Sequence, residues 1–140
     1  MPVPSIRLRR ADLRQRLEEA AARAGTSVSA LAERLIDEGL RSDSHPLVVF
    51  RDGPTGRRAG LINGPDVWEV VATVIGGDVA AEQREARAAD LLGLGAPQVH
   101  AAMSYYAEFT VEIDERIARN RREADRQRAL WEQHQRLLAQ

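Results

Sequence analysis

Near its start the chain carries Ser5, Arg7 and Arg9 at alternate positions, with Ile6 and Leu8 between them. Side chains alternate across a β-strand, so the three polar residues share one face and the two apolar ones the other. Arginine offers a planar fork of donors that matches the O6 and N7 acceptors of guanine in the major groove, and serine bonds to any base edge. Arg10 adds a further cation, and no acid occurs in the first eleven residues. A second set is Thr26, Ser27, Val28 and Ser29, where hydroxyl residues precede a periodic apolar run and mark a helix N-terminus. A third set closes the chain: Arg119, Arg122 and Arg126 lead to Leu130, Trp131, Leu137 and Leu138. Guanidinium pairs carboxylate through two parallel bonds, and an uncovered Trp with three leucines marks a partner surface. Burying those four side chains yields on the order of 6–12 kcal/mol gross, against about 8 kcal/mol for a micromolar complex.

These residues need elements to carry them. Residues 5–9 read as a strand. Leu13, Leu17, Ala20, Ala21 and Ala24 form one face of a helix that Gly25 stops in a left-handed backbone. A second helix has Leu31, Leu35, Ile36 and Leu40 as its apolar face, with Gly39 in its last turn. A strand without a partner leaves backbone donors and acceptors unpaired, and roughly forty residues bury too little apolar surface to fold unaided. The economical solution is a homodimer. Two strands pair antiparallel, four helices cover them, and Ile6, Leu8, Leu13, Leu17, Leu31 and Leu35 form the dimer core. The plain alternative is that the arginines are a solvated strand face.

The stretch SIRLRRADLRQRLEEAAARAGTSVSALAERLIDEGL resembles a ribbon-helix-helix domain of the Arc/MetJ/CopG kind, over about a quarter of the chain. That resemblance implies Ser5, Arg7, Arg9 and neighbouring Arg10 as DNA-binding residues on an intermolecular two-stranded ribbon. It implies Thr26, Ser27, Val28 and Ser29 as the phosphate-binding turn.

Residues 1–4 read as a short arm held extended by Pro2 and Pro4. Residues 42–46 read as a linker. Leu47, Val48, Val49 and Phe50 then give a short strand, residues 52–56 a turn, and residues 57–62 a returning strand. Asp66 caps a helix whose core face is Val67, Val70, Val71 and Val74, ended by Gly76 and Gly77. A second helix spans 80–92, with Ala86, Ala89 and Leu92 as buried candidates. A third starts at Pro97 and carries Val99, Ala102, Met103 and Tyr106. On Gly53-Pro54, Gly56-Arg57-Arg58, Val67-Trp68-Glu69-Val70-Val71, Gly76-Gly77 and Ala101-Ala102-Met103-Ser104-Tyr105-Tyr106, this segment resembles the domain-of-unknown-function family 433. It departs from the commonest form, with Gly56-Arg57-Arg58 where a Gly-Thr-Arg is usual. Members commonly sit beside PIN-like toxins and resemble VapB-like antitoxins. Residues 80–107 also admit a helix-turn-helix reading, but Arg84 and Arg87 are its few outward arginines, which favours packing.

Residues 112–140 are dense in helix formers. Three- and four-residue steps from Met103 run through Tyr106, Thr110, Ile113 and Ile117, then become polar, so the tail should leave the globular body after about Ile117. The terminal cluster then covers a partner, folds back, zips with the dimer mate, or stays solvated. The expected fold is mainly α with short β. Residues 1–44 form a ribbon-helix-helix DNA-binding and dimerisation domain, 45–111 a hairpin plus three helices, and 112–140 a long helical toxin-binding tail.

Composition bounds the function. All twenty basic residues are arginine, and the formal net charge is −1. Only local strips therefore point to nucleic acid. Without cysteine there are no disulfides and no thiolate metal sites, as suits a cytoplasmic protein. No apolar run is long enough to span a bilayer. His45, His100 and His134 have no metal-ligand spacing, no phosphate loop is present, and no serine has a base-and-carboxylate pattern. No enzyme, metal or cofactor is expected. The residues and resemblances together imply the antitoxin of a type II toxin–antitoxin pair, a homodimer or higher, bound to operator DNA. Its tail covers a cognate toxin protein, by resemblance a PIN-like, metal-dependent ribonuclease whose Mg²⁺ a tail arginine displaces. The alternative is a stand-alone ribbon-helix-helix transcriptional repressor with a self-assembling tail; a weaker third reading is an assembly scaffold without a DNA role.

Overall fold

The valines of residues 67–74 sit where one helical face repeats, and they anchor the larger of two units. In the computed structural model, which describes residues 5–140, the chain divides into Met1–Asp43 and Ser44–Gln140. The extended arm expected for residues 1–4 lies outside the described residues. The fold is mainly helical with one two-stranded antiparallel sheet.

In the first unit, residues 5–10 carry neither helix nor strand within the chain, and Arg10 is extended (φ −85°, ψ 118°). A ladder there needs a strand from elsewhere. Helix α1 spans Ala11–Ala24 and ends as its sequence dictates: Gly25 takes φ 64°, and the N–H of Thr26 reaches back to Ala21 O at 3.1 Å. Only glycine adopts that backbone without cost, so the chain turns there. Helix α2 spans Val28–Ser44, and of the three candidate capping hydroxyls Ser27 does the capping, its Oγ accepting the Ala30 N–H at 3.1 Å. Ser42, Asp43 and Ser44 are helical, not linker, so Gly39 lies inside α2 and not in its last turn. The Arg41–Asp37 pair, 3.1 Å apart one turn back, supports that extension.

The second unit begins with the hairpin of β1, Val48–Arg51, and β2, Arg58–Leu61, with Val48 opposite Leu61 and Arg51 opposite Arg58. Helix α3, Val67–Ile75, follows with Val67, Val70, Val71 and Val74 all buried, and its first turn is closed by the Asp66 N–H donating to Glu69 Oε2 at 2.9 Å. The expected 80–92 helix is shorter: a 3₁₀ turn at Ala81–Gln83 precedes α4, Arg84–Leu92. Ala88 is its fully buried residue, whereas Ala86 is exposed and Ala89 and Leu92 are half-buried. Helix α5, Ala96–Glu108, buries Val99, Ala102 and Tyr105, with Met103 and Tyr106 half-buried. Arg84 and Arg87 do not face outward as expected; they donate to Val79 O at 3.4 Å and Thr73 O at 3.2 Å.

Helix α6 is one continuous run, Thr110–Leu138, separated from α5 by Phe109 (φ −117°, ψ 46°). Its first turns bury Ile113 and Ile117 against the same core as Val48, Val70 and Tyr105. Beyond Ala118 every residue is exposed, so the tail leaves the body where the stripe turns polar. No helix among the described residues is long and apolar enough to cross a membrane.

Candidate functional site

The N-terminal strip is accessible: Ser5, Arg7, Arg9 and Arg10 are all exposed. Their chemistry is unequal. Arg10 donates from Nη2 to Asp12 Oδ2 at 2.6 Å and from Nε to Oδ1 at 3.2 Å, which holds the Asp12 carboxyl below its ordinary value. The Arg10 fork is thus occupied by a carboxylate, while Arg7 and Arg9 are exposed. Arg14 Nη2 donates to Leu8 O at 3.0 Å and ties the strip to α1. Behind the strip an open groove of about 630 Å³ runs past Ile6, Leu8 and Val28.

At the start of α2, Thr26, Ser27, Val28 and Ser29 are exposed. The Ser27 hydroxyl is spent on the Ala30 N–H, and the N–H groups of Val28 and Ser29 have no intrahelical partner by helix geometry.

The residues assigned to a dimer core are only partly covered within one chain. Leu31 is buried at 3% exposure and packs its own unit, while Leu8 and Leu17 are half-buried. Ile6, Leu13 and Leu35 are exposed, as are Val28, Ile36 and Leu40. Ala21 and Leu31 are the buried residues of the first unit.

On α6, Arg119, Arg122, Arg126, Leu130, Trp131, Leu137 and Leu138 are all exposed, with Trp131 at 62%. At 3.6 residues per turn they occupy one half of the helix circumference. Glu123 shares that half; it accepts Gln127 Nε2 at 2.9 Å and pairs with Arg126 at 3.4 Å, and these lower its carboxyl's ionisation range.

One constellation, Arg119 apart, has no counterpart among the expected sites. Arg58 Nε pairs with Asp66 Oδ2, which also accepts Trp68 Nε1 at 3.3 Å. Arg116 Nη1 donates to Thr55 O at 2.9 Å and Thr55 Oγ1 at 3.0 Å, and its Nη2 donates to Arg57 O at 3.1 Å. Arg119 Nη1 reaches the same Thr55 carbonyl at 3.5 Å. The sequence signal was the Gly-Arg-Arg beside a glycine-rich turn, but nothing local points from it to α6. Compared with known proteins, the chain matches no family model, no curated protein and no solved structure. The assignment of function therefore rests on the chain's own residues. Among the described residues no group of three or more His, Cys, Asp or Glu could hold a metal ion. His45, half-buried edge-on against Tyr105, instead contacts Glu108 at 2.6 Å.

Proposed function

We propose that this chain is the antitoxin of a type II toxin–antitoxin pair, binding operator DNA as a ribbon-helix-helix dimer and neutralising a PIN-like ribonuclease through its C-terminal tail. The observation that carries the reading is the tail itself. More than twenty residues of continuous helix follow the last buried side chain, Ile117, and they end in Leu130, Trp131, Leu137 and Leu138, each more than half exposed. A helix that buries nothing is marginal in water, and four large apolar side chains on it call for a cover. The row of Arg119, Arg122 and Arg126 on the same half suits a carboxylate-lined surface such as a metal-dependent nuclease site. At the other end, a 43-residue unit with Ile6, Leu13, Leu35, Ile36 and Leu40 exposed calls for a second copy, and pairing two such strips places Arg7 and Arg9 on a ribbon that fits the major groove.

The test is a growth assay with the adjacent reading frame expressed as toxin, joined to gel shifts on the upstream DNA. The wild-type chain restores growth and retards its own upstream DNA in a salt-sensitive way; Trp131→Ala loses rescue and keeps DNA binding. Full rescue by Trp131→Ala would refute the tail's role. Arg7→Ala weakens specific binding by about 1–3 kcal/mol; unchanged affinity would exclude the ribbon as reader. A second reading, a stand-alone repressor with a self-assembling tail, is favoured by one feature: Leu130 and Leu137, like Trp131 and Leu138, are seven residues apart, the repeat of a helix pair. It predicts tail-dependent self-association with no neighbouring toxin.

A further inference from the structure

Arg58 from β2 and Arg116 and Arg119 from α6 gather on one turn of the second unit, residues 53–56. The bonds that hold them there are mostly to neutral groups: Arg116 to two carbonyls and a hydroxyl, and Arg119 to a carbonyl. Such bonds fix position without cancelling charge. Two carboxylates act on the group. Asp66 is committed to Arg58 and Trp68, and Glu112 accepts the Tyr105 hydroxyl at 2.7 Å. Three cations thus face two carboxylates. The strain is visible at Arg116, whose guanidinium is held below the ordinary arginine range, first by burial and then by the charges of Arg119 and Arg58. Arg58 Nη1 is buried with no hydrogen-bond partner, pressed so close over Gly53 that a Cβ there would occupy its place. A buried donor left unpaired costs about 1–3 kcal/mol, and converging like charges attract a counter-ion.

We propose that Arg58, Arg116 and Arg119 form a phosphate-binding site on the second unit, separate from the N-terminal strip. The donors left over on three guanidiniums, approaching from two elements, suit the tetrahedral oxygens of a phosphate, whereas one fork already saturates the two coplanar oxygens of a carboxylate. Arg119 is exposed and Arg58 and Arg116 are half-buried, so the group is reachable from solvent at its rim, while Arg58 Nη1 lies beneath it. The phosphate is a nucleic-acid backbone phosphodiester or a free phosphate ion; both present the same oxygens.

The experiment follows the arginine Nε–Hε NMR signals of the full chain, with Arg116 and Arg119 assigned by their loss in Arg116→Lys and Arg119→Lys. Inorganic phosphate, a short duplex of unrelated sequence and acetate are titrated separately at low salt. Saturable movement of both signals with the duplex supports a backbone source, and Arg119→Ala then lowers duplex affinity several-fold and reduces the salt slope by about one. Movement with inorganic phosphate alone supports the free ion. An equal response to acetate, or the same movement at exposed Arg136, overturns the site, as does no movement with any probe. The response persists in Arg7→Ala with Arg9→Ala, which separates failure of this site from failure of the N-terminal strip.

Discussion

Asp66 does several things at one position. It sits at 8% exposure, its carboxylate takes Arg58 and Trp68, and it occupies the N-cap position of α3. Asp66→Ala removes a cap, worth about 0.5–2 kcal/mol, and strands the half-buried Arg58, whose charge-assisted bond is worth about 1.5–3 kcal/mol. The expected loss is about 2–5 kcal/mol in urea unfolding, with Asp66→Asn intermediate because it keeps the cap and loses the charge. A loss within error for the alanine variant would mean that the Arg58 pair contributes nothing to folding. A second residue gives a pH signature. The Tyr106 hydroxyl donates to Asp114 Oδ1 at 2.7 Å, and that bond, with some burial, raises its ionisation above the ordinary phenol value of 10.0. Between the unfolded and the folded ionisation the unfolded chain has released a proton that the folded chain retains. Stability from this bond is therefore full below about pH 10 and is lost as pH rises through the folded value. Ultraviolet titration of the phenols checks it: Tyr106→Phe removes a component that ionises above the ordinary phenol value and flattens the alkaline fall.

Helix α6 joins two regimes within 29 residues. Ile113 and Ile117 belong to the core; residues 121–140 contain no side chain that is even half-buried. A chain ending at Asn120 should keep its urea midpoint, with a change within about 0.5 kcal/mol, since exposed positions away from packing rarely matter more. It should lose helical circular dichroism and any tail-dependent partner. A large drop in the midpoint would mean that the tail folds onto something. Much of this element was legible in advance, because the switch from Ile117 to a polar stripe is a local pattern. So was α3, where four valines at helical spacing lie between Asp66 and Gly76. Some of the misses concern where a helix starts and which face it buries. Stepping from Met103 through Tyr106 to Ile113 assumes an unbroken helix, but Phe109 separates α5 from α6, and within α5 the buried row is Val99, Ala102 and Tyr105, which leaves Tyr106 half-buried. Ala86 gave way to Ala88 in the same fashion, because α4 begins only at Arg84 after a 3₁₀ turn. The arginine group was illegible for a different reason: Arg116 and its Thr55 partner are 61 residues apart, and no periodicity carries that information.

At the scale of the whole molecule the two units differ in how completely each one packs. The second has a continuous core from Val48 to Ile117. The first buries Ala21 and Leu31, while Ile6 is 71% and Leu40 63% exposed. A unit of that size has little inside to hold it, and the dimer proposed above would cover its apolar surface. Leu8 is the residue on which this turns. It is half-buried, its carbonyl is bound by Arg14, and it lies on the apolar side of the proposed ribbon. Leu8→Asp places two carboxylates at the centre of a dimer, where burying each unpaired charge costs several kcal/mol. The expected result is a light-scattering mass reduced by half, loss of DNA retention, and early melting of the first unit's helices, with the second unit's unfolding unchanged because its core contains none of these residues. A mutant that remains dimeric would place assembly on the second unit or the tail, and Arg7 and Arg9 would then have no ribbon from which to read a groove.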